Sequence, residues 1–255
     1  VAVAAVAGRE DGPVSDARKV AVVTGGATGI GRAVCQALAA KGLRVGVVCH
    51  SSEARARALA EELDGAFVLR ADIADPVQID ALVKQLQDVA GRVDVLVNNA
   101  GCNRDAPIFS MKLDDYDAVL GLARGTWYLT KLVLRRFMLR TGGRVINISS
   151  VVGHTGNAGQ IPYTMAKAGL DALTRSLAQE MKGRDVLVNS VAPGFIDTEM
   201  TASLPEEVRA RILDRVPLGR MGRPEEVAEV VAFLATGATY ITGSVVHVNG
   251  GMYGG

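Results

Sequence analysis

Two kinds of segment alternate along the chain. Short, nearly continuous apolar runs stand at VAVVT (20–24), RVGVVC (44–49), AFVLRA (66–71), VDVLVN (93–98), RVINIS (144–149), VLVNSV (186–191) and SVVHV (244–248). Runs that are rich in Val and apolar in both alternating registers suit parallel strands covered by helices on two sides. Between them lie stretches whose apolar residues recur at helical spacing, at 30–41, 53–63, 76–90, 114–140, 163–182, 205–214 and 224–235. Alternation of this kind predicts an α/β fold: one Rossmann-type, doubly wound parallel sheet of about seven strands with helices on both faces. No internal repeat or flexible linker divides residues 19–255, which read as a single domain.

Residues 1–18, VAVAAVAGREDGPVSDAR, carry neither pattern. They are expected to form an unstructured tail outside the fold, or to be the remnant of a targeting segment.

Composition narrows the function. A formal net charge of +1 over 255 residues, with no long block of like charge, gives no footprint for nucleic acid or a membrane surface. No apolar run approaches the roughly 18 residues of a membrane helix. Cys35, Cys49 and Cys102 are odd in number and lack metal-ligand spacing, so no metal is expected. They read as free thiols in a reducing compartment, the cytoplasm, or an organelle if the tail is a processed targeting signal. Small-molecule chemistry remains.

The first strand runs into TGGATGIG (24–31), and a helix follows at once. Gly25, Gly29 and Gly31 let backbone approach a pyrophosphate, while the helix N-terminus offers it free N–H groups and a positive dipole end. A glycine-rich turn can be only a tight turn, but this position, between buried strand and amphipathic helix, is that of a dinucleotide site. Further on, SVVGHTGNAGQIPYTMAKAG (150–169) holds Ser150, Tyr163 and Lys167. Tyr163 and Lys167 stand one helical turn apart and share a face. A free tyrosine, with a pKa near 10, is a sluggish acid, and a neighbouring ammonium is expected to bring it toward the working range. Ser150, at the C-terminal end of the fifth strand, can hydrogen-bond a substrate carbonyl. The spacing alone also suits a packed tyrosine and a solvated lysine. The dinucleotide turn in the same chain favours catalysis.

These motifs, with NNAG at 98–101 and PGFIDTEM at 193–200, resemble those of the short-chain dehydrogenase/reductase family. The likeness runs from about residue 19 to the C-terminus. GNAGQIPYTMAKAGL, NSVAPGFIDTEMT, VPLGRMG and YITGSVVHVNGGMY are most similar to bacterial-type 3-oxoacyl-[acyl-carrier-protein] reductases. The resemblance implies hydride transfer from a nicotinamide to a carbonyl carbon, with Ser150, Tyr163 and Lys167 as catalytic residues and Tyr163 as proton donor. It implies a 3-oxoacyl thioester substrate, linked to coenzyme A or an acyl carrier protein, and a homotetramer. It also extends the cofactor site. Thr24, Gly25, Thr28, Gly29, Ile30 and Gly31 belong to the first turn, and His50 and Ser51 to the end of the second strand. Asp72 and Ile73 lie toward the adenine, and Asn98, Ala100 and Gly101 beside the ribose. Tyr163, Lys167, Pro193, Gly194, Ile196 and Thr198 lie toward the nicotinamide. Asp72 alone could equally cap the following turn.

Cofactor choice turns on one charge. Relatives specific for NAD place a carboxylate at the end of the second strand, where this chain reads CHSS (49–52). With no carboxylate there to repel a 2′-phosphate, NADPH is expected, although Thr28 stands where many NADP-type relatives have Arg.

One departure bears on activity. Relatives carry an Asn in the fourth helix, in a pattern resembling W-x6-N-L-x-G, that serves a proton-relay water near the lysine. Here the stretch is DDYDAVLGLARGTWYLTK, and one residue is missing from it. Counted forward from Tyr116 the position falls on Ala123; counted back from Gly125 it falls on Leu122. Two alternatives stand beside an active thioester reductase: a non-catalytic or weakly active partner subunit of a reductase hetero-oligomer, and a reductase of another small carbonyl compound.

Other features are expected to be structural. His154 is read as a loop histidine without a partner, His247 as a strand or interface residue, and Phe109, Met111 and Tyr116 as packing. Arg135, Arg136, Arg140, Arg144 and Arg184 are candidate basic surface for an acidic carrier protein.

Overall fold

The computed structural model describes residues 17–202 and 205–254, so all but Ala17 and Arg18 of the expected tail lies outside the described residues. Arg18 is already tied to the fold, 2.9 Å from Asp64. The strands are β1 (Val20–Thr24), β2 (Arg44–Cys49), β3 (Phe67–Arg70), β4 (Val95–Asn98), β5 (Gly143–Ile148), β6 (Val186–Pro193) and β7 (Val245–Val248). They form one seven-stranded sheet in the order β3-β2-β1-β4-β5-β6-β7, every pair parallel. This is the doubly wound α/β arrangement. The order reverses between β1 and β4, which opens a crevice beyond the carboxyl ends of the strands.

Burial explains the continuous apolar runs. In β1, Ala21 and Val23 enter one core cluster, with Val34 and Leu38 of α1 (Gly29–Ala40) and Val227 and Val231 of α9 (Pro224–Thr236). Val20 and Val22 enter the other, with Ile79 and Leu82 of α3 (Pro76–Ala90) and Leu129 of α4 (Leu113–Val133). A strand buried on both faces has no polar register to show. Each of these Leu and Ile side chains contributes about 1.5–3 kcal/mol by leaving water.

Helix ends follow the local chemistry. Asp75 caps α3 by accepting from the Val77 N–H at 2.9 Å, Pro76 opens its first turn, and Gly91 closes it in the left-handed region at φ 68°. The helix expected at 114–140 is α4 continued by a π-helical turn, Leu134–Met138. The helix expected at 163–182 is α6, Ile161–Glu180. Helices α2 (Glu53–Glu62) and α8 (Glu206–Leu213) match their expected positions, while the one-turn helices α5 (Val152–Thr155) and α7 (Glu199–Ala202) come from the structure alone. No described helix is long and apolar enough to cross a membrane.

Candidate active site

A cleft of about 600 Å³ opens at the carboxyl ends of the strands. Its floor is the glycine turn, built as a rigid unit with the NNAG segment. Thr24 Oγ1 accepts from the N–H groups of Asn99 and Ala100, both at 3.0 Å. In return, Asn99 Nδ2 donates to the carbonyls of Thr24 and Gly25, at 3.0 and 3.1 Å. Gly25 and Gly29 take φ values of 63° and 50°, which L side chains avoid. A Cβ on Gly31 would stand 2.2 Å from the Gly25 carbonyl oxygen, so α1 starts hard against the turn. Gly29, Ile30 and Gly31 line the cleft, and the helix presents its free N–H end there. The cradle fits the pyrophosphate of a dinucleotide.

Thr24 and Asn98 are buried behind this surface rather than on it, and their hydrogen bonds run to neighbouring segments of the fold. Asn98 Nδ2 donates to Thr130 Oγ1 at 2.9 Å and to Asn147 Oδ1 at 2.8 Å. Asn147 Nδ2 continues to Thr174 Oγ1 at 2.8 Å, and Thr174 meets Ser190 at 2.8 Å. A buried polar ladder thus joins β4, β5 and β6 under the site. The residues that do line the cleft are Gly25, Thr28, His50, Ser51, Asp72, Ile73, Ala100 and Gly101. Pro193, Gly194, Ile196 and Thr198 line it from the β6 side.

At the far end, Cys49, His50 and Ser51 close β2 without a carboxylate. The nearest one in sequence, Glu53, is engaged by Arg57 at 2.5 Å and Arg70 at 3.8 Å and does not line the cleft. Asp72 lines the cleft, and its Oδ1 accepts from the Ala74 N–H at 2.8 Å. Over the glycine turn, the Thr198 methyl stands 3.4 Å from where a Gly29 Cβ would be. Beside it Glu199 pairs with Arg55 at 2.7 Å, joining α7 to α2 across the mouth of the cleft.

Ser150 follows β5, and Tyr163 and Lys167 come from consecutive turns at the start of α6. Ser150 and Tyr163 both line the cleft, close enough for the serine to favour the phenolate, and Ser150 Oγ accepts from the Val152 N–H at 3.3 Å. Lys167 is buried; its Nζ donates to the Ile148 carbonyl at 2.7 Å and lies 5.5 Å from the Tyr163 ring centroid. Burial pushes the lysine down to about 8, against upward pulls from Asp171 and Cys102. The tyrosine corrects an expectation: its pKa is raised. Burial outweighs the opposing influence of Ser150, and Asp105 and Cys102 add to the rise. A phenol held this way keeps its proton until charge develops on the group beside it.

In the fourth helix, Leu122 lines the cleft and Ala123 does not. The register is fixed just beyond, since a Cβ on Gly125 would lie 1.6 Å from the Ile73 carbonyl oxygen and Thr130 is bonded to Asn98. Counting back from Gly125 is therefore the count that suits the fold, and it puts the apolar Leu122 where the resemblance led one to expect Asn.

Several other expectations are revised. Phe109 does not pack; its ring is fully exposed on the turn after Pro107, whose carbonyl accepts from Ser110 and Met111. His154 does not line the cleft but lies 2.9 Å from Asp171. Of the basic candidates, Arg136, Arg144 and Arg184 are held on the protein, by Gln87, Asp185 and the Leu139 carbonyl. Among the described residues, no cluster of His, Cys, Asp and Glu is placed to hold a metal. Sequence reasoning passed over Asn99, Cys102, Leu122 and Glu199 as cleft residues. Asn99 had a signal, as the second Asn of NNAG next to the glycine turn's strand.

A Rossmann sheet, a dinucleotide cradle at its switch point and a hydroxyl pair beside a buried lysine define a nicotinamide-dependent oxidoreductase. The comparisons agree with that class. A family described as enoyl-(acyl carrier protein) reductase matches residues 25–253. The chain is 46% identical to a 3-oxoacyl-[acyl-carrier-protein] reductase of Aquifex aeolicus, over 92% of this chain and 97% of the relative. It is 45% and 44% identical, with the same coverage, to the enzymes of that name from Vibrio harveyi and Escherichia coli. The chain belongs to the short-chain dehydrogenase/reductase family.

Proposed function

We propose that the protein reduces a 3-oxoacyl thioester to the 3-hydroxyacyl form with NADPH. The observation that carries this reading is the Ser150–Tyr163 hydroxyl pair in a cleft floored by a dinucleotide cradle. Bound NADPH supplies the hydride. Ser150 donates to the ketone oxygen and fixes it beside Tyr163. Tyr163 then gives its proton to that oxygen as negative charge develops there. Lys167 offsets the charge left on the phenolate. An acid aimed at an oxygen serves a ketone. An enoyl thioester takes hydride to give an enolate whose proton must end on carbon, a further step, and the relatives that match over most of the chain carry the ketone-reducing name.

For the cofactor, support comes from the end of β2, where no carboxylate faces the cleft and His50, Ser51 and Ser52 offer polar groups. For an acyl-carrier-protein substrate, support comes from the relatives' names and from Arg135 and Arg140, which are exposed. For a homotetramer, it comes from Trp127 and Phe233, apolar rings about half exposed on α4 and α9. Light scattering that gave a stable monomer at micromolar concentration would remove that part. Leu122 favours one second reading, a weakly active partner subunit. Following NADPH oxidation with a short 3-oxoacyl thioester separates the two.

A further inference from the structure

Behind the cleft lies a second cluster of titratable side chains, and it backs onto Lys167. Asp171 is one turn further along α6 on the same face and only 1% exposed. From α5, His154 brings Nε2 to 2.9 Å from Asp171 Oδ2. The approach lies off the line of a hydrogen bond, and among the described residues neither carboxylate oxygen has a hydrogen-bond partner. His154 packs edge-on against His247 of β7 at 4.8 Å and stacks on Tyr253 at 5.1 Å. Tyr253 also meets His247, at 5.0 Å.

A carboxylate buried without hydrogen bonds is costly unless charge faces it. The groups that face Asp171 are Lys167 from its own helix, His154 from α5 and His247 from β7. The groups that face Lys167 are Asp171, the Cys102 thiol and the Tyr163 ring, and those that face Tyr163 are Ser150, Asp105 and Cys102. Burial favours loss of the lysine's proton, and the Asp171 carboxylate does most to oppose that loss. Leu122, the α4 side chain that lines the cleft, is apolar and offers the lysine no hydrogen bond.

We propose that Asp171 is a positioning residue for the reaction: buried beside His154, it is the counter-ion that keeps Lys167 charged and Tyr163 protonated in the working pH range. This rests on the reading of Tyr163 as the acid and Lys167 as its ammonium. The sign of its effect does not depend on which of the two titrates. Removing a negative charge beside a coupled pair lowers the pKa of both members.

The test is the pH profile of kcat/KM for carbonyl reduction in the wild type, Asp171→Asn and Asp171→Leu. Both variants remove the charge. The amide matches the carboxylate in shape, the leucine in branching, and Asp171→Glu, which keeps the charge, should leave the limb where the wild type has it. The alkaline limb should move to lower pH by about one unit or more in Asp171→Asn and Asp171→Leu. A folded, active variant without the charge whose limb coincides with that of the wild type overturns the proposal, as does an equal loss of activity at every pH. An inactive wild type would count against the reading of the reaction itself, whereas an unmoved limb counts against Asp171 alone.

Discussion

The absent side chain of Gly31 and the carbonyl of Gly25 share one space: a Cβ there would come within 2.2 Å of that oxygen. The obstacle is backbone, and Asn99 Nδ2 would lie only 2.6 Å away on the same side, so neither neighbour can yield without opening the turn. Gly31→Ala is expected to cost about 1–3 kcal/mol of stability by overpacking. It should also weaken NADPH binding tenfold or more, about 1.4 kcal/mol, as read by calorimetric titration. Unchanged affinity would show that the turn does not carry the pyrophosphate.

Tyr163→Phe should abolish turnover while leaving NADPH affinity within a few-fold of the wild type. In the proposed reaction the phenol supplies the transferred proton, and the ring can stay in place over Lys167 without its hydroxyl. Steady-state kinetics and fluorescence titration give the two numbers. Retention of most of kcat would mean that another group is the acid.

For the fourth helix the structure selects the substitution. Leu122 already faces the cleft, and Gly125 and Thr130 are already seated on Ile73 and Asn98. An inserted residue would turn both away by roughly 100°. A single Leu122→Asn exchange should raise kcat by about tenfold, equivalent to about 1.4 kcal/mol of barrier, and shrink the solvent isotope effect. If kcat does not rise in a variant that still binds NADPH, the missing amide does not limit this enzyme.

Cys49 is the buried last residue of β2 and lines the cleft. Cys49→Asp should reverse or erase a preference for NADPH over NADH by placing a carboxylate where the 2′-phosphate is expected. The ratio of kcat/KM values for the two cofactors reports it. A ratio that does not change would place the phosphate elsewhere.

Much of the fold was legible because its signals are local. Seven apolar runs mark seven strands, and at α3 the Asp75 cap, Pro76 and Gly91 mark both ends of one helix. The glycine turn and the Ser150, Tyr163 and Lys167 spacing were likewise visible. Long-range geometry was not. Nothing in the spacing tells that Asn98 turns inward to Thr130 and Asn147, or that Phe109 points into solvent. The raised pKa of Tyr163 was missed for a related reason: its sign depends on burial, which the sequence does not display. Leu122 was one of two candidates until Gly125, packed on Ile73, fixed the helix rotation.

The central claim is that the hydroxyl pair serves a ketone, and one assay addresses it most directly. Oxidation of NADPH is followed with a short 3-oxoacyl thioester and, separately, with the 2-enoyl thioester of the same chain length. The account predicts turnover of the first, lost in Tyr163→Phe, and none above background for the second. Reduction of the enoyl substrate at a comparable rate, or turnover of neither, would contradict it.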